Sequence, residues 1–133
     1  MVYYCEIEKE DGRYIVRFPD MPNVKTCGES REEALCMAED ALNAVLESEV
    51  EHGFSTRPPV YANGYPIPVA ANILLSLQLR RLRGNLSQTD VAKKLGMTYQ
   101  SYQRLENPRK ANPTIKTLER IARVYDRQLS VTL

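Results

Sequence analysis

Leu86 to Glu106 reads L-S-Q-T-D-V-A-K-K-L-G-M-T-Y-Q-S-Y-Q-R-L-E, and its punctuation describes two short helices joined by a glycine turn. Ser87 stands where a hydroxyl caps the first helix, with Asp90 three residues on in the position of a capping box. Val91, Ala92 and Leu95 then share one helical face. Gly96 can take the left-handed conformation that ends a helix without a Cβ clash, and Thr98 caps the second helix. Tyr102 and Leu105, three apart, point to the core, which turns Tyr99, Gln100, Gln103 and Arg104 outward. A glutamine can bond adenine N6 and N7 together, and an arginine can bond guanine O6 and N7. The stretch therefore reads as a helix-turn-helix, with those four residues as base readers and Gln100 and Arg104 foremost.

The flanking sequence supplies the rest of such a domain. Ala70 to Leu82 predicts a preceding helix with Ile73, Leu74, Leu77 and Leu82 apolar and Arg80, Arg81 and Arg83 near its end. Asn112-Pro113 reads as an N-cap and first-turn pair opening a further helix, with Ile115, Leu118, Ile121, Ala122 and Tyr125 inward. The set resembles a Cro/repressor-like domain. That resemblance implies phosphate contacts from Gln88, Ser101 and Asn107, with Arg109 and Lys110 adding charge in the following loop. Tyr102 stands where that class usually has a smaller aliphatic residue. Leu129 to Leu133 alternates apolar and polar residues as a terminal β-strand would, pairing either with a symmetry mate or back onto its own domain.

Net charge divides sharply along the chain. Residues 1–64 hold six Lys/Arg against thirteen Asp/Glu, a balance of −7, whereas residues 65–133 hold twelve against four, a balance of +8. A basic half carrying a helix-turn-helix matches the electrostatic footprint of phosphate contact, while an acidic half is repelled by DNA and must face another partner. The domain boundaries expected are thus 1–64 and 65–133.

The acidic half alternates and then turns helical. Val2 to Ile7 and Tyr14 to Phe18 are β-rich runs joined at Asp11-Gly12, a strong hairpin signal. Val24 to Cys27 follows as a short strand, and Ser30-Arg31-Glu32-Glu33 opens a helix through about residue 51, with Ala34, Leu35, Ala38, Ala41, Leu42, Val45 and Leu46 recurring at helical spacing. Gly53 stops it. Tyr65 to Val69 is extended, and Pro66 and Pro68 confine it to a sheet edge. The order is β-β-β-α-β, so the fold class is α+β followed by an all-α helix-turn-helix domain.

Two stretches, G-R-Y-I-V-R-F-P-D-M-P and T-C-G-E-S-R-E-E-A, carry a family likeness, with Tyr14, Phe18-Pro19-Asp20, Pro22, Gly28, Glu33-Ala34 and Ala38 as the matching positions. The chain resembles the HicB antitoxins over its whole length. Arg13 departs from the second glycine often found in that family's hairpin, which affects turn type more than function. The resemblance implies a partial ribonuclease-H-like module that binds a HicA-type mRNA-cleaving toxin, and a tail that represses the operon by binding double-stranded operator DNA. It implies a homo-oligomer, dimer or tetramer. Tyr14, Asp20, Glu6 and Glu8 are the toxin-contacting residues expected on the strand-rich side.

Other readings are narrower. A stand-alone regulator with a sensing or dimerising N-terminal half fits the same motifs. A metal-dependent nuclease would need Glu6, Glu8 and Asp20 to converge on a cation, whereas alternation with Cys5 and Ile7 places the two glutamates as solvated or partner-facing charges. Cys5, Cys27 and Cys36 form no C-x-x-C pair and read as buried reduced thiols, and His52 follows an acidic helix where a cation suits the dipole. No apolar run approaches the roughly 20 residues of a membrane span, and no basic-then-apolar leader opens the chain. The expectation is a cytoplasmic protein with no cofactor, no metal and no catalytic activity.

Overall fold

The computed structural model describes residues 1–133. Nine elements follow in order: β1 (Val2–Glu10), β2 (Arg13–Arg17), β3 (Lys25–Gly28), α1 (Arg31–Glu51), β4 (Tyr65–Pro68), α2 (Ala71–Arg83), α3 (Gln88–Leu95), α4 (Tyr99–Leu105) and α5 (Ile115–Val124). Internal contacts divide the chain into two compact units, Met1–Leu74 and Leu75–Leu133, so the division falls within α2.

The first unit is an antiparallel sheet of order β3-β2-β1-β4 with α1 across one face. Asp11 and Gly12 both take positive φ, 51° and 77°, which matches a two-residue turn to the right-handed twist of β1 and β2. Ser30 caps α1 by accepting from the Glu33 N–H at 3.1 Å. Ala34, Ala38, Leu42, Leu46 and Val50 form a buried stripe at intervals of four, packed with Tyr3, Cys5, Val16 and Ile67 in the unit's core. β4 pairs only with β1, so its two prolines lie on an edge where a missing N–H breaks no ladder. The change of charge at residue 64 precedes this strand, which completes the acidic half's sheet.

Several boundaries differ from expectation. β3 begins at Lys25 rather than Val24, because the Val24 N–H turns back to the Met21 carbonyl at 2.9 Å. Only Cys5 of the three free cysteines is buried; Cys27 is half-buried and Cys36 is exposed, two residues from both Ala34 and Ala38 and hence on the opposite side of α1.

The second unit packs Leu79, Val91, Ala92, Leu95, Tyr102, Leu105 and Ile121 into one cluster, with Leu75, Met97, Val124 and Tyr125 against it. α5 is capped by Thr114, not Asn112, and starts at Ile115: the Thr114 hydroxyl accepts from the Thr117 N–H at 3.1 Å, which leaves Pro113 ahead of the cap. Ile115, expected inward, is exposed at this first helical position. Leu129 to Leu133 forms no strand; within the unit it has no strand to pair with, and a lone strand leaves its backbone groups to water.

Candidate nucleic-acid interface and partner-binding face

Local capping builds the helix-turn-helix as the sequence predicts. The Ser87 hydroxyl accepts from the Asp90 N–H at 3.0 Å and the Thr98 hydroxyl from the Ser101 N–H at 3.1 Å. Gly96 ends α3 at φ 69°, and the following Met97 N–H reaches the Ala92 carbonyl at 3.0 Å, satisfying a carbonyl the helix leaves open. Tyr102 and Leu105 are buried, which leaves Tyr99, Gln100, Gln103 and Arg104 exposed on the other side of α4. Four side chains able to read base edges thus line one solvent-facing surface.

Glu106, directly after α4, holds that surface in place. It is 2% exposed, and its carboxylate receives Arg83 in a two-pronged pair, Nε to Oε2 at 2.8 Å and Nη2 to Oε1 at 3.1 Å. Gln88 Nε2 donates to the same Oε1 at 3.2 Å, and Arg80 Nε lies 3.7 Å away. One buried carboxylate therefore links the end of α2, the start of α3 and the end of α4. It holds the Arg83 guanidinium even more firmly protonated than usual, chiefly through the hydrogen bonds. Burial first, and then the adjacent Glu106 carboxylate, pushes the Tyr102 phenol far above its ordinary range, so the ring stays neutral in the core.

The phosphate candidates are distributed around this frame. Gln88 is half-buried against Glu106, and Ser101 is exposed with its hydroxyl 2.9 Å from that of Thr98. The Asn107 side chain accepts from the Arg109 N–H at 3.0 Å, bending the loop that displays Arg109 and Lys110 to solvent.

In the first unit, the three strand residues of the candidate contact set fall on two faces, and Asp20 lies in the turn after β2. Glu6 and Glu8 lie on the sheet face away from α1, whereas Tyr14 stands opposite Lys9 in register and so on the α1 side. Glu6 accepts from the Tyr61 hydroxyl, and Asp20 accepts from the Val60 and Tyr61 N–H groups, both at 2.8 Å. Those two carboxylates pin the segment before β4. Glu8 is exposed, 3.6 Å from Arg17, which also lies 3.5 Å from Glu10.

Residues 3–79 match the model of a family described as HicB-like antitoxin of bacterial toxin-antitoxin systems, and residues 77–131 match a helix-turn-helix model. The chain belongs to the HicB-like antitoxin family. Antitoxin HicB 1 of Photorhabdus laumondii is 32% identical over 128 residues, covering 93% of this chain and 81% of that protein. Antitoxin HicB 2 of the same organism is 33% identical over 110 residues, covering 79% and 77%. Antitoxin HicB of Escherichia coli K12 is 28% identical over 129 residues, covering 92% and 91%.

In this HicB-like chain no three His, Cys, Asp or Glu side chains converge as metal ligands would, and no helix is long and apolar enough to cross a membrane. Much of its acidity sits not on the strands but on the outward side of α1, at Glu32, Glu33, Glu39, Asp40 and Glu51. Sequence reasoning left that surface outside the expected contact set and passed over Glu106. The signal for Glu106 was its spacing of four from Tyr102, which places an acid on the inward side of α4.

Base-reading and phosphate-contacting roles, if divided between α4 and the loop after it, should separate on titration. Arg104→Ala and Gln100→Ala should each cost about 1–3 kcal/mol on the operator and relax preference at individual base pairs, while Lys110→Ala should weaken all sequences alike. Binding measured across an operator mutant panel checks this, and unchanged sequence preference in the first pair would place base reading elsewhere.

Proposed function

We propose that this antitoxin-family protein binds and inhibits a HicA-type mRNA-cleaving toxin through its N-terminal unit and represses its own operon through the C-terminal one. The observation that carries the reading is a capped helix-turn-helix with an exposed polar recognition face, on a HicB-like chain whose two halves differ in charge by sign. Tyr99, Gln100, Gln103 and Arg104 enter the major groove, and Gln88, Ser101, Asn107, Arg109 and Lys110 meet phosphates. Within the N-terminal unit, for which the family resemblance implies a partial ribonuclease-H-like module, inhibition is by coverage. The acidic surface takes the place of RNA phosphate on a basic toxin, with no catalytic step of its own.

Glu8 is the exposed member of the contact set and Tyr14 is half-buried, while Glu6 and Asp20 act through the segment they hold. Two copies read an operator with two half-sites, joined by an interface that includes Leu129–Leu133, and pairs of dimers give a tetramer. The proposed site of action is the cytoplasm.

The test is coexpression of the toxin encoded beside this chain with the full-length double variant Gln100→Ala/Arg104→Ala. Growth and toxin copurification should match wild type while an operator reporter is derepressed. Growth arrest with the double variant but not wild type would show that DNA reading and inhibition are inseparable; arrest with both would remove the antitoxin reading for that pair.

A further inference from the structure

Lys9, Tyr14, Arg31 and Tyr65 meet at the start of α1. The Arg31 guanidinium lies 5.5 Å from the Tyr14 ring centre and 5.7 Å from that of Tyr65, and its Nη1 donates to the Tyr65 hydroxyl. Lys9 Nζ lies 5.7 Å from the Tyr14 ring centre. Each separation is within the roughly 6 Å over which a cation is attracted to a ring face. Tyr14 and Tyr65 face the same side of the sheet, since they oppose Lys9 and Cys5, which are themselves an even number of residues apart on β1.

Two features distinguish this cluster from a solvated surface. Arg31 and Lys9 are both exposed, yet neither pairs with a carboxylate as Arg17 does with Glu8 and Glu10, or Arg80 and Arg83 with Glu106. Two cations without a carboxylate partner therefore stand together in a half that carries −7 overall. Second, the long Arg31 side chain is already fixed between two rings, so an incoming anion need not order it. A guanidinium offers five N–H donors in a plane, and with one used on Tyr65 an edge remains for a carboxylate.

We propose that Lys9, Tyr14, Arg31 and Tyr65 form a clamp for a single carboxylate on the protein partner, an acidic side chain or chain terminus of the toxin. A polyanion such as RNA is disfavoured, because Glu29, Glu32 and Glu33 flank Arg31 and are exposed. A basic protein presenting one carboxylate meets both signs of charge. The clamp then supplies a contact of reversed polarity inside an otherwise acid-to-base interface, which fixes register and rejects basic proteins lacking that carboxylate. This inference rests on the toxin-binding reading above.

The experiment is calorimetric titration of the toxin encoded beside this chain into the full-length protein, wild type and with Arg31→Ala, Arg31→Lys or Arg31→Glu. Alanine should weaken binding about tenfold and glutamate more, with lysine between wild type and alanine because it keeps charge but loses the planar fork. Melting temperatures should stay close to wild type, because Arg31 is exposed. A carboxylate-to-amide scan of the toxin should find one variant with the same loss and no further loss against Arg31→Ala. Wild-type affinity in the alanine and glutamate variants would overturn the clamp while leaving toxin binding standing. Failure of the wild-type chain to bind would overturn both. A short single-stranded RNA, followed by fluorescence anisotropy, that binds wild type and loses affinity in Arg31→Ala while toxin affinity holds would reassign the cluster to nucleic acid.

Discussion

Replacing Glu106 with alanine should unfold the C-terminal unit and abolish operator binding while leaving toxin inhibition intact. The carboxylate is buried and receives Arg83, Gln88 and the charge of Arg80. Removing it leaves a partly buried guanidinium with no anion and a glutamine with no acceptor. Breaking a buried ion pair from one side costs about 3–5 kcal/mol, which is comparable to the whole stability of a small domain. The unit concerned runs only from Leu75 to Leu133, too short for a core with much reserve. Glu106→Gln should show the same sign at smaller size, since an amide nitrogen cannot accept from Arg83. A thermal scan monitored with operator binding checks this. A Glu106→Ala protein that melts with the wild type and binds operator equally would show that the network is dispensable.

The second large effect is expected at Gly28, and it falls on the other activity. A Cβ there would stand 2.5 Å from the Ala34 backbone nitrogen and 2.9 Å from its Cα, far inside van der Waals contact, with backbone that has no flexible end to move. Gly28→Ala should therefore push the first turn of α1 off β3, at about 3 kcal/mol. Toxin binding should fall with the fold of the N-terminal unit, whereas operator binding by the C-terminal unit should persist. Denaturant unfolding read beside the two binding assays gives the answer. Wild-type toxin affinity and unchanged stability in Gly28→Ala would mean that α1 does not press on this glycine. Together the two variants form a reciprocal pair, each disabling one unit.

Local chemistry makes much of this molecule legible in its sequence. Ser30, Ser87 and Thr98 cap helices three residues ahead of the N–H groups they accept from, Gly96 ends α3, and Asp11-Gly12 turns the first hairpin. Each is a relation spanning at most a few positions, so the residue types alone carry it. The buried stripe of α1, the edge strand with its prolines and the exposed side of α4 follow from periodicities of 3.6 and 2. The cap of α5 is not legible in the same way, because Asn112 and Thr114 both offer a capping oxygen and only the folded chain selects Thr114.

Tertiary structure decided what depends on partners far apart in sequence. Glu106 acquires its role from Arg83 and Gln88, which lie 23 and 18 residues away; its spacing from Tyr102 turns it inward, but only those distant partners let it be buried as a charge. Asp20 and Glu6 are drawn to the segment at Val60 and Tyr61 by hydrogen bonds across 40 to 55 residues, so carboxylates that read as open charges hold a loop instead. Gly28 matters because α1 approaches it, and Arg31 because β2 and β4 bring two rings beside it. The sequence by itself determined the family, the order of elements and the helix-turn-helix, since these rest on local propensity and spacing. Only folding decided which polar side chains are consumed within the protein and which stay available to a partner, because burial and long-range hydrogen bonding are properties of the assembled chain.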